Sequence, residues 1–438
     1  DGTRITDNNP LDTSDPSDET HAANWVNYLV GQYGSADQGG VKYYALGNEP
    51  MLWNSTHMDI HPVGASYDEV LATGIRYAEA IKSADPTAVV LGPVVWGWTA
   101  YFYSGLDAEP GGAWYLNPLD HLAHDSIPFL QWYLQEMAAY EAENGQRLLD
   151  VLDIHFYPQT GVALTGAGDL ATQALRLRNT RVLWDPDYIA ESWINENVQL
   201  IPMMRQWIED TYPGTQLAIT EYNFGGLEHV NGALAQADVL GIFGREGVEL
   251  ATLWAPPNPS QPGSFAFRMF RNYDGSQSSS GRFGDVSILA TSDDPGIVSA
   301  FAARRAVDEK ITLMLINKTR DAVATPISVP NVDNGQVEVF VYGMNDRSNI
   351  RQLSNTVVAD GQIGITLEPY SITMLEMEDT TSILLGDINL DGVVNLLDVQ
   401  PFVNLLSASQ FQAEADMNGD GTVNLLDIDG FVDAISGN

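Results

Sequence analysis

Five apolar runs in the first 255 residues each read as a short buried strand: residues 41–46, 88–95, 149–156, 216–221 and 250–255. Turn-forming residues bound them, and longer segments with helical apolar spacing separate them. That alternation predicts βα units and a parallel sheet. Ser66-Tyr67-Asp68-Glu69 predicts a capping box opening a helix that stops before Asp85-Pro86. A second helix is expected from Ser126 to Asn144-Gly145, and a third from about Glu196 to Asp210, before Pro213-Gly214. A fourth covers roughly residues 232–245. From about Gly284 to Met377 the period changes. Short β-rich runs at 311–316, 337–341 and 363–367 follow one another between turn clusters, which predicts an antiparallel β-sandwich.

The fold class expected is α/β: a (β/α)8 TIM-type barrel over 1–283, the β-sandwich over 284–378, a linker over 379–385, and a small α-helical, EF-hand-like module over 386–438. A closed barrel of this kind needs eight strands, and five are legible. About 40 residues precede the first of them, room for one helix and a loop. If Glu49 ends the fourth barrel strand and Glu221 the seventh, strands one to three are expected upstream of Asp1. The chain opens on Asp1 with no basic region or apolar signal core.

Composition narrows the function classes. The 438 residues are 44% hydrophobic and 18% charged, as in globular proteins. No apolar run approaches the roughly 20 residues needed to span a bilayer. The absence of cysteine excludes thiol catalysis, thiolate metal sites and disulfides, but not export. With 58 acidic against 20 basic residues, the net charge is −38. Such a surface repels nucleic acid and anionic membranes, so neither is expected as a partner, and it favours a neutral substrate over a polyanionic glycan. High solubility in salty surroundings accounts for the charge equally well.

Candidate chemistry lies where the strands end. Glu49 closes Tyr43-Tyr44-Ala45-Leu46-Gly47-Asn48-Glu49-Pro50, and Glu221 closes Leu217-Ala218-Ile219-Thr220-Glu221. In a (β/α)8 barrel the strand C-terminal ends face the active site. Two carboxyls across such a mouth are the equipment for breaking a glycosidic bond. Aromatic residues gather at the same strand ends, and sugar faces stack on such rings. Trp53 and Trp254 follow these strands most directly, with Tyr222 beside Glu221, while His155 and Tyr157 would flank the nucleophile. His57 and His61 fit loop structure or a substrate contact better than a transition-metal pair.

The C-terminal stretch holds a repeat. Asp387, Asn389, Asp391, Gly392, Val393, Asn395 and Asp398 recur 29 residues later as Asp416, Asn418, Asp420, Gly421, Thr422, Asn424 and Asp427. Oxygen side chains at positions 1, 3, 5, 9 and 12, glycine at 6 and a backbone carbonyl at 7 match the calcium loop of an EF-hand, so two Ca2+ sites are expected. Asp rather than Glu at position 12, and a single helix after each loop, resemble the dockerin module that docks enzymes onto cohesins. Leu396-Leu397 and Leu425-Leu426 stand where dockerins often carry small hydroxyl residues.

The strand-end motifs, together with residues 43–50, 56–62, 148–158, 183–193, 217–226 and 235–244, resemble glycoside hydrolase family 44. The resemblance implies an endo-acting β-1,4-glucanase or xyloglucanase built from a barrel and a β-sandwich. It also implies a retaining mechanism, with Glu49 as acid/base, Glu221 as nucleophile, and Asn48 bonding the sugar 2-hydroxyl as in many barrel glycosidases. Expected partners are a neutral β-glucan and, through the repeat, a cohesin or other scaffold; the expected location is extracellular. Two other readings stay open: a β-mannanase or xylanase with the same carboxylate pair, and an incomplete fragment acting only in docking or binding.

Overall fold

The computed structural model of the chain describes residues 9–12, 14–108, 114, 116–271, 281–330, 332, 334–379, 384–391, 393–408 and 410–436. Gly392 of the first loop and residues 380–383 of the expected linker lie outside them. The chain forms two compact units. One comprises Asp1–Thr325, Glu338–Asn355 and Ile365–Met377; the other comprises Pro326–Val337, Thr356–Gly364 and Glu378–Asn438.

In the first unit five strands lie side by side in chain order: β1 (Tyr43–Ala45), β2 (Val89–Val95), β3 (Val151–Phe156), β4 (Gln216–Tyr222) and β5 (Leu250–Leu253). All neighbours are parallel, the arrangement of a barrel wall with helical crossovers on one side. Both faces of these strands are apolar. Leu152, Ile154, Phe156, Leu217 and Ile219 join the large core formed with the helices. Leu91, Val151 and Ala218 gather on the other face with Tyr43, Val89 and Leu250. Burial on both faces is why each strand reads as an unbroken apolar run.

The helix Tyr67–Ala84 is capped as its sequence predicts: the Ser66 side chain accepts from the Glu69 N–H at 3.2 Å. Two helix starts differ from expectation. The second helix begins at Phe129, after Pro128, because Asp125 and Ser126 both take left-handed backbone (φ 56° and 58°) and form a turn instead of a cap. The third is Leu200–Thr211, again preceded by a left-handed residue, Gln199.

The remaining strands are β6 (Val286–Ile288), β7 (Val298–Arg304), β8 (Ile311–Asn317), β9 (Val323–Ser328), β10 (Asn334–Gly343), β11 (Asp346–Gln352), β12 (Thr356–Ala359), β13 (Gln362–Leu367) and β14 (Ser371–Met377). In the first unit β6, β7, β8 and β14 form an antiparallel ladder that continues to β10, on which β11 folds back. Its attachment to the helices of the parallel sheet is close. Gly241 of the helix Val230–Glu246 meets the Phe301 ring where a Cβ would come within 2.3 Å, and Lys318 Nζ lies 2.6 Å from Asp238 Oδ2.

In the second unit, the first residues of β10 pair with β12, and β12 pairs with β13. The helices Val399–Ala408 and Ile428–Ser436 enclose a small core of Ile388, Phe402, Ala415, Val423 and Phe431. Phe402 and Phe431 occupy equivalent places in the repeat and stack on each other at 4.0 Å.

Candidate active site

Glu49 leaves β1 through a tight turn. Gly47 takes φ +94°, Glu49 itself takes φ +47°, and the Glu49 N–H donates to the Val94 carbonyl at 2.9 Å. Non-glycine residues held in left-handed backbone concentrate at functional sites. Glu221 lies within β4, beside His155 of β3. His155 Nδ1 is 2.9 Å from Glu49 Oε1 and 3.5 Å from Glu221 Oε2. His155 Nδ1 therefore reaches one oxygen of each glutamate. The same Glu221 oxygen, Oε2, accepts the Tyr157 hydroxyl at 2.9 Å. Burial, then the Glu221 carboxylate, holds the Tyr157 phenol far above its usual range, so it stays a donor. One oxygen from each glutamate and the His155 nitrogen all lie within 4.8 Å of one another.

His155 is itself wholly enclosed, at 1% exposure, and the Tyr101 hydroxyl donates to its backbone carbonyl at 2.6 Å. The two glutamate side chains are partly open, at 21% and 17%. The site thus has a rigid buried floor and carboxylates that a ligand reaches from one side.

Of the expected substrate contacts, Asn48 accepts the Trp53 indole N–H through its backbone carbonyl at 3.1 Å, which ties Trp53 to the Glu49 loop. His61 packs edge-on against Trp53 and bonds Glu69 at 2.8 Å, a loop-structural role. Trp254 follows β5 with its N–H on the Tyr222 carbonyl and its side chain half exposed. Tyr222 does not join them. Its ring is buried against Phe243 on the helix side of the sheet, and its hydroxyl accepts from Gln236 at 2.8 Å. The physical reason is a bulge in β4: Ile154 pairs with Ile219, but the next residue, His155, pairs with Glu221, leaving Thr220 as an extra residue. The bulge turns Glu221 inward and sends Tyr222 out.

Two residues not singled out from the sequence belong to this floor. Asp153, fully buried, accepts from the Thr220 hydroxyl with both oxygens, at 2.8 and 2.9 Å. Gln159 links the Tyr157 carbonyl to the exposed Trp193, donating to the former at 2.8 Å and accepting the indole N–H of the latter at 3.2 Å. A signal was present: Asp153, His155 and Tyr157 are polar at every second position of an otherwise apolar strand, which marks one face as functional.

In the repeat, Asp387 and Asp416 are largely buried, and Asp398 and Asp427 wholly so. Asp398 accepts the N–H groups of Asn389 and Asn395, both at 2.9 Å, which draws its carboxylate across the loop. Asp427 does the same for Asn418 and Asn424, at 3.2 and 2.8 Å. At the loop tips, the Asp391 N–H is bonded by the side-chain oxygens of Asp387 and Asn389, and the Asp420 N–H by those of Asp416 and Asn418. Val393 and Thr422 bond back to Asp391 and Asp420 through their N–H groups, and the Val393 carbonyl accepts from the Asn395 side-chain amide at 3.1 Å. No Lys, Arg or His occurs between residues 386 and 436, so the buried carboxylates have no basic side chain in the repeat to balance them. That oxygen-only donor set fits a hard divalent cation.

The model of glycoside hydrolase family 44 matches residues 1–160, and that of the dockerin type I domain matches residues 385–432. Over 389 residues the chain is 35% identical to endoglucanase A of Paenibacillus lautus, covering 85% of this chain and 53% of that protein. It spans about half the length of this curated relative. Among solved structures it resembles CelM2, a bifunctional glucanase-xylanase from a metagenome library, with 42% identity and a TM-score of 0.82 over 86% of this chain and 72% of that one. A family 44 xyloglucanase of Paenibacillus polymyxa superposes with a TM-score of 0.72 at 31% identity, over 81% of this chain and 70% of that one. The chain belongs to glycoside hydrolase family 44 and carries a dockerin type I domain.

Proposed function

We propose that this protein hydrolyses β-1,4-glucan polysaccharides, xyloglucan included, by the retaining mechanism, with Glu221 as nucleophile and Glu49 as acid/base. The observation that carries the reading is the approach of the two glutamates, with oxygens no more than 4.8 Å apart over a histidine and a tyrosine. Inverting enzymes need roughly 6.5–9.5 Å between carboxyls to admit a water, whereas retaining ones hold them at about 5–5.5 Å.

In the first step Glu221 attacks C1 while Glu49 gives its proton to the glycosidic oxygen, and the leaving sugar departs from a covalent glycosyl-enzyme. In the second step Glu49 takes a proton from water, whose oxygen bonds C1 as the ester to Glu221 breaks. His155 holds both glutamate side chains in place, and the Tyr157 hydroxyl offsets the negative charge of Glu221. Trp53 and the half-exposed Trp254 offer faces for glucosyl rings, with Asn48 near the reacting sugar.

Glu221→Ala should lower turnover by orders of magnitude, and added azide should restore product of inverted configuration. Glu49→Ala should keep turnover on aryl glycosides whose leaving group needs no proton. Near-normal polysaccharide hydrolysis by either variant would remove that residue from its role. A second reading, xylanase activity at the same site, is favoured by the likeness to a glucanase-xylanase. Reducing-sugar release from glucan, xyloglucan, xylan and mannan separates the readings.

For the dockerin domain we infer two Ca2+ sites. The first would be held by Asp387, Asn389, Asp391, Asn395, Asp398 and the Val393 carbonyl. The second would use Asp416, Asn418, Asp420, Asn424, Asp427 and the Thr422 carbonyl. When bound, the cation supplies charge balance and order to the loops. Its partner is a cohesin on an extracellular scaffold. Among the described residues no helix is long and apolar enough to cross a membrane.

A further inference from the structure

We propose that Asp153 is a positioning residue for Glu221, acting through Thr220: it locks the β4 bulge that turns the nucleophile toward the mouth of the site. This rests on the reading of Glu221 as nucleophile. The bulge is visible from both neighbours of β4. On the β3 side Ile154 and His155 face Ile219 and Glu221; on the β5 side Ala251 and Leu253 face Ile219 and Tyr222. The β3 pairing leaves Thr220 as the surplus residue, and the β5 pairing agrees in setting Thr220 and Glu221 against the single residue Thr252.

The consequence follows from strand alternation. Leu217 and Ile219 face the helices and Ala218 faces the opposite apolar cluster. Regular alternation from Ile219 would put Glu221 on the helix side and Tyr222 inside. Instead Tyr222 is on the helix side, in the same core as Ile219, and Glu221 reaches His155 and Tyr157. One inserted residue thus exchanges the two side chains. Bulges recur beside active sites for this reason.

A bulged residue loses its regular ladder partners and needs others. Those of Thr220 are supplied by two side chains. Asp153 takes its hydroxyl at 2.8 and 2.9 Å and its N–H at 3.3 Å, and the Thr252 hydroxyl donates to its carbonyl. Asp153 is wholly buried, and burial raises its carboxyl, an expense that a core position would avoid with an apolar residue. Asp153 touches neither Glu49 nor the mouth of the site. Its function is to bond the one residue whose conformation aims Glu221.

The test uses the full chain with four variants: Asp153→Ala, Thr220→Val, Thr220→Ser and the Asp153→Ala/Thr220→Val double. On soluble β-glucan, Asp153→Ala and Thr220→Val should each lose about 10- to 100-fold in kcat with KM changed less than about twofold, since a small misplacement of a reacting group costs that much. The double variant should lose no more than either single one, because both remove the same link. Thr220→Ser should recover most of the loss by restoring the hydroxyl. A wild-type kcat in Asp153→Ala, or additive losses in the double variant, would overturn the proposal. Amide hydrogen exchange gives a readout independent of catalysis: Asp153→Ala should deprotect residues 219–222 and leave β1 protected. Unchanged protection at 219–222 overturns the inference, whereas absence of glucan hydrolysis by the wild type overturns only the functional reading.

Discussion

Asp153 gives stability a pH dependence opposite in sign to that of a paired carboxylate. Burial is the largest influence on it, and the carboxyl is raised from 3.8 to about 6 against the opposing pull of the Thr220 bonds. The folded chain therefore keeps a proton that the unfolded chain releases between those values. Stability from this group is fully present below about 3.8 and is lost as pH rises through about 6. Two pKa units correspond to on the order of 3 kcal/mol. Asp153→Asn cannot titrate, so the stability difference between wild type and this variant should shift in favour of the variant from pH 4 to pH 6.5. Denaturant unfolding across that range checks the sign, and a constant difference would mean that Asp153 does not titrate there. At this scale Glu49, Glu221, His155 and Tyr157, which the structure brings together, were legible as candidates because each ends or lines a recognisable strand. The sequence misplaced Tyr222, since a one-residue bulge leaves no mark in the pattern of apolar positions.

Single elements show where local chemistry suffices. Each oxygen-rich loop contains its whole proposed donor set within twelve residues, so the pattern is legible without any tertiary contact. The capping boxes at Asn395–Asp398 and Asn424–Asp427 are equally local. Chelation should unfold residues 384–436, since the buried Asp398 and Asp427 have no basic side chain near in sequence. At 100 times Kd, calcium should add about 2.7 kcal/mol per site to the domain. Titration calorimetry should count two ions in the wild type and one in Asp398→Ala or Asp427→Ala; a wild-type count of one would remove the second site. The helix starts at Phe129 and Leu200 were misjudged for the converse reason. Left-handed turns at Asp125, Ser126 and Gln199 delay each helix, and nothing in those residue types marks the turn.

In the first unit as a whole, a buried ion pair joins the residue after β8 of the antiparallel sheet to the helix Val230–Glu246 beside the parallel sheet. Lys318 and Asp238 are each 2% exposed, and Thr180 also donates to the same Asp238 oxygen. Removing one partner strands the other charge in the core, which costs about 3–5 kcal/mol. Lys318→Ala should lower the unfolding temperature of the first unit strongly, while Lys318→Met with Asp238→Leu should be milder than either single change. Calorimetry on the full chain decides this, and a Lys318→Ala protein as stable as the wild type would show that the pair does not couple the antiparallel sheet to that helix.

What the sequence determined alone was everything set by neighbours along the chain: five parallel-type strands, the antiparallel region from position 284, the two oxygen-rich loops and the strand-end glutamates. Periodicity and turn chemistry act within a few residues, so they can be read there. Tertiary structure alone decided which side of a strand each group faces and what lies across from it. The bulge at Thr220 reversed Glu221 and Tyr222, the fold brought Glu49 to His155 across 106 positions, and burial made Asp153 a participant. These depend on register and on distant partners, and no local pattern encodes a partner a hundred residues away.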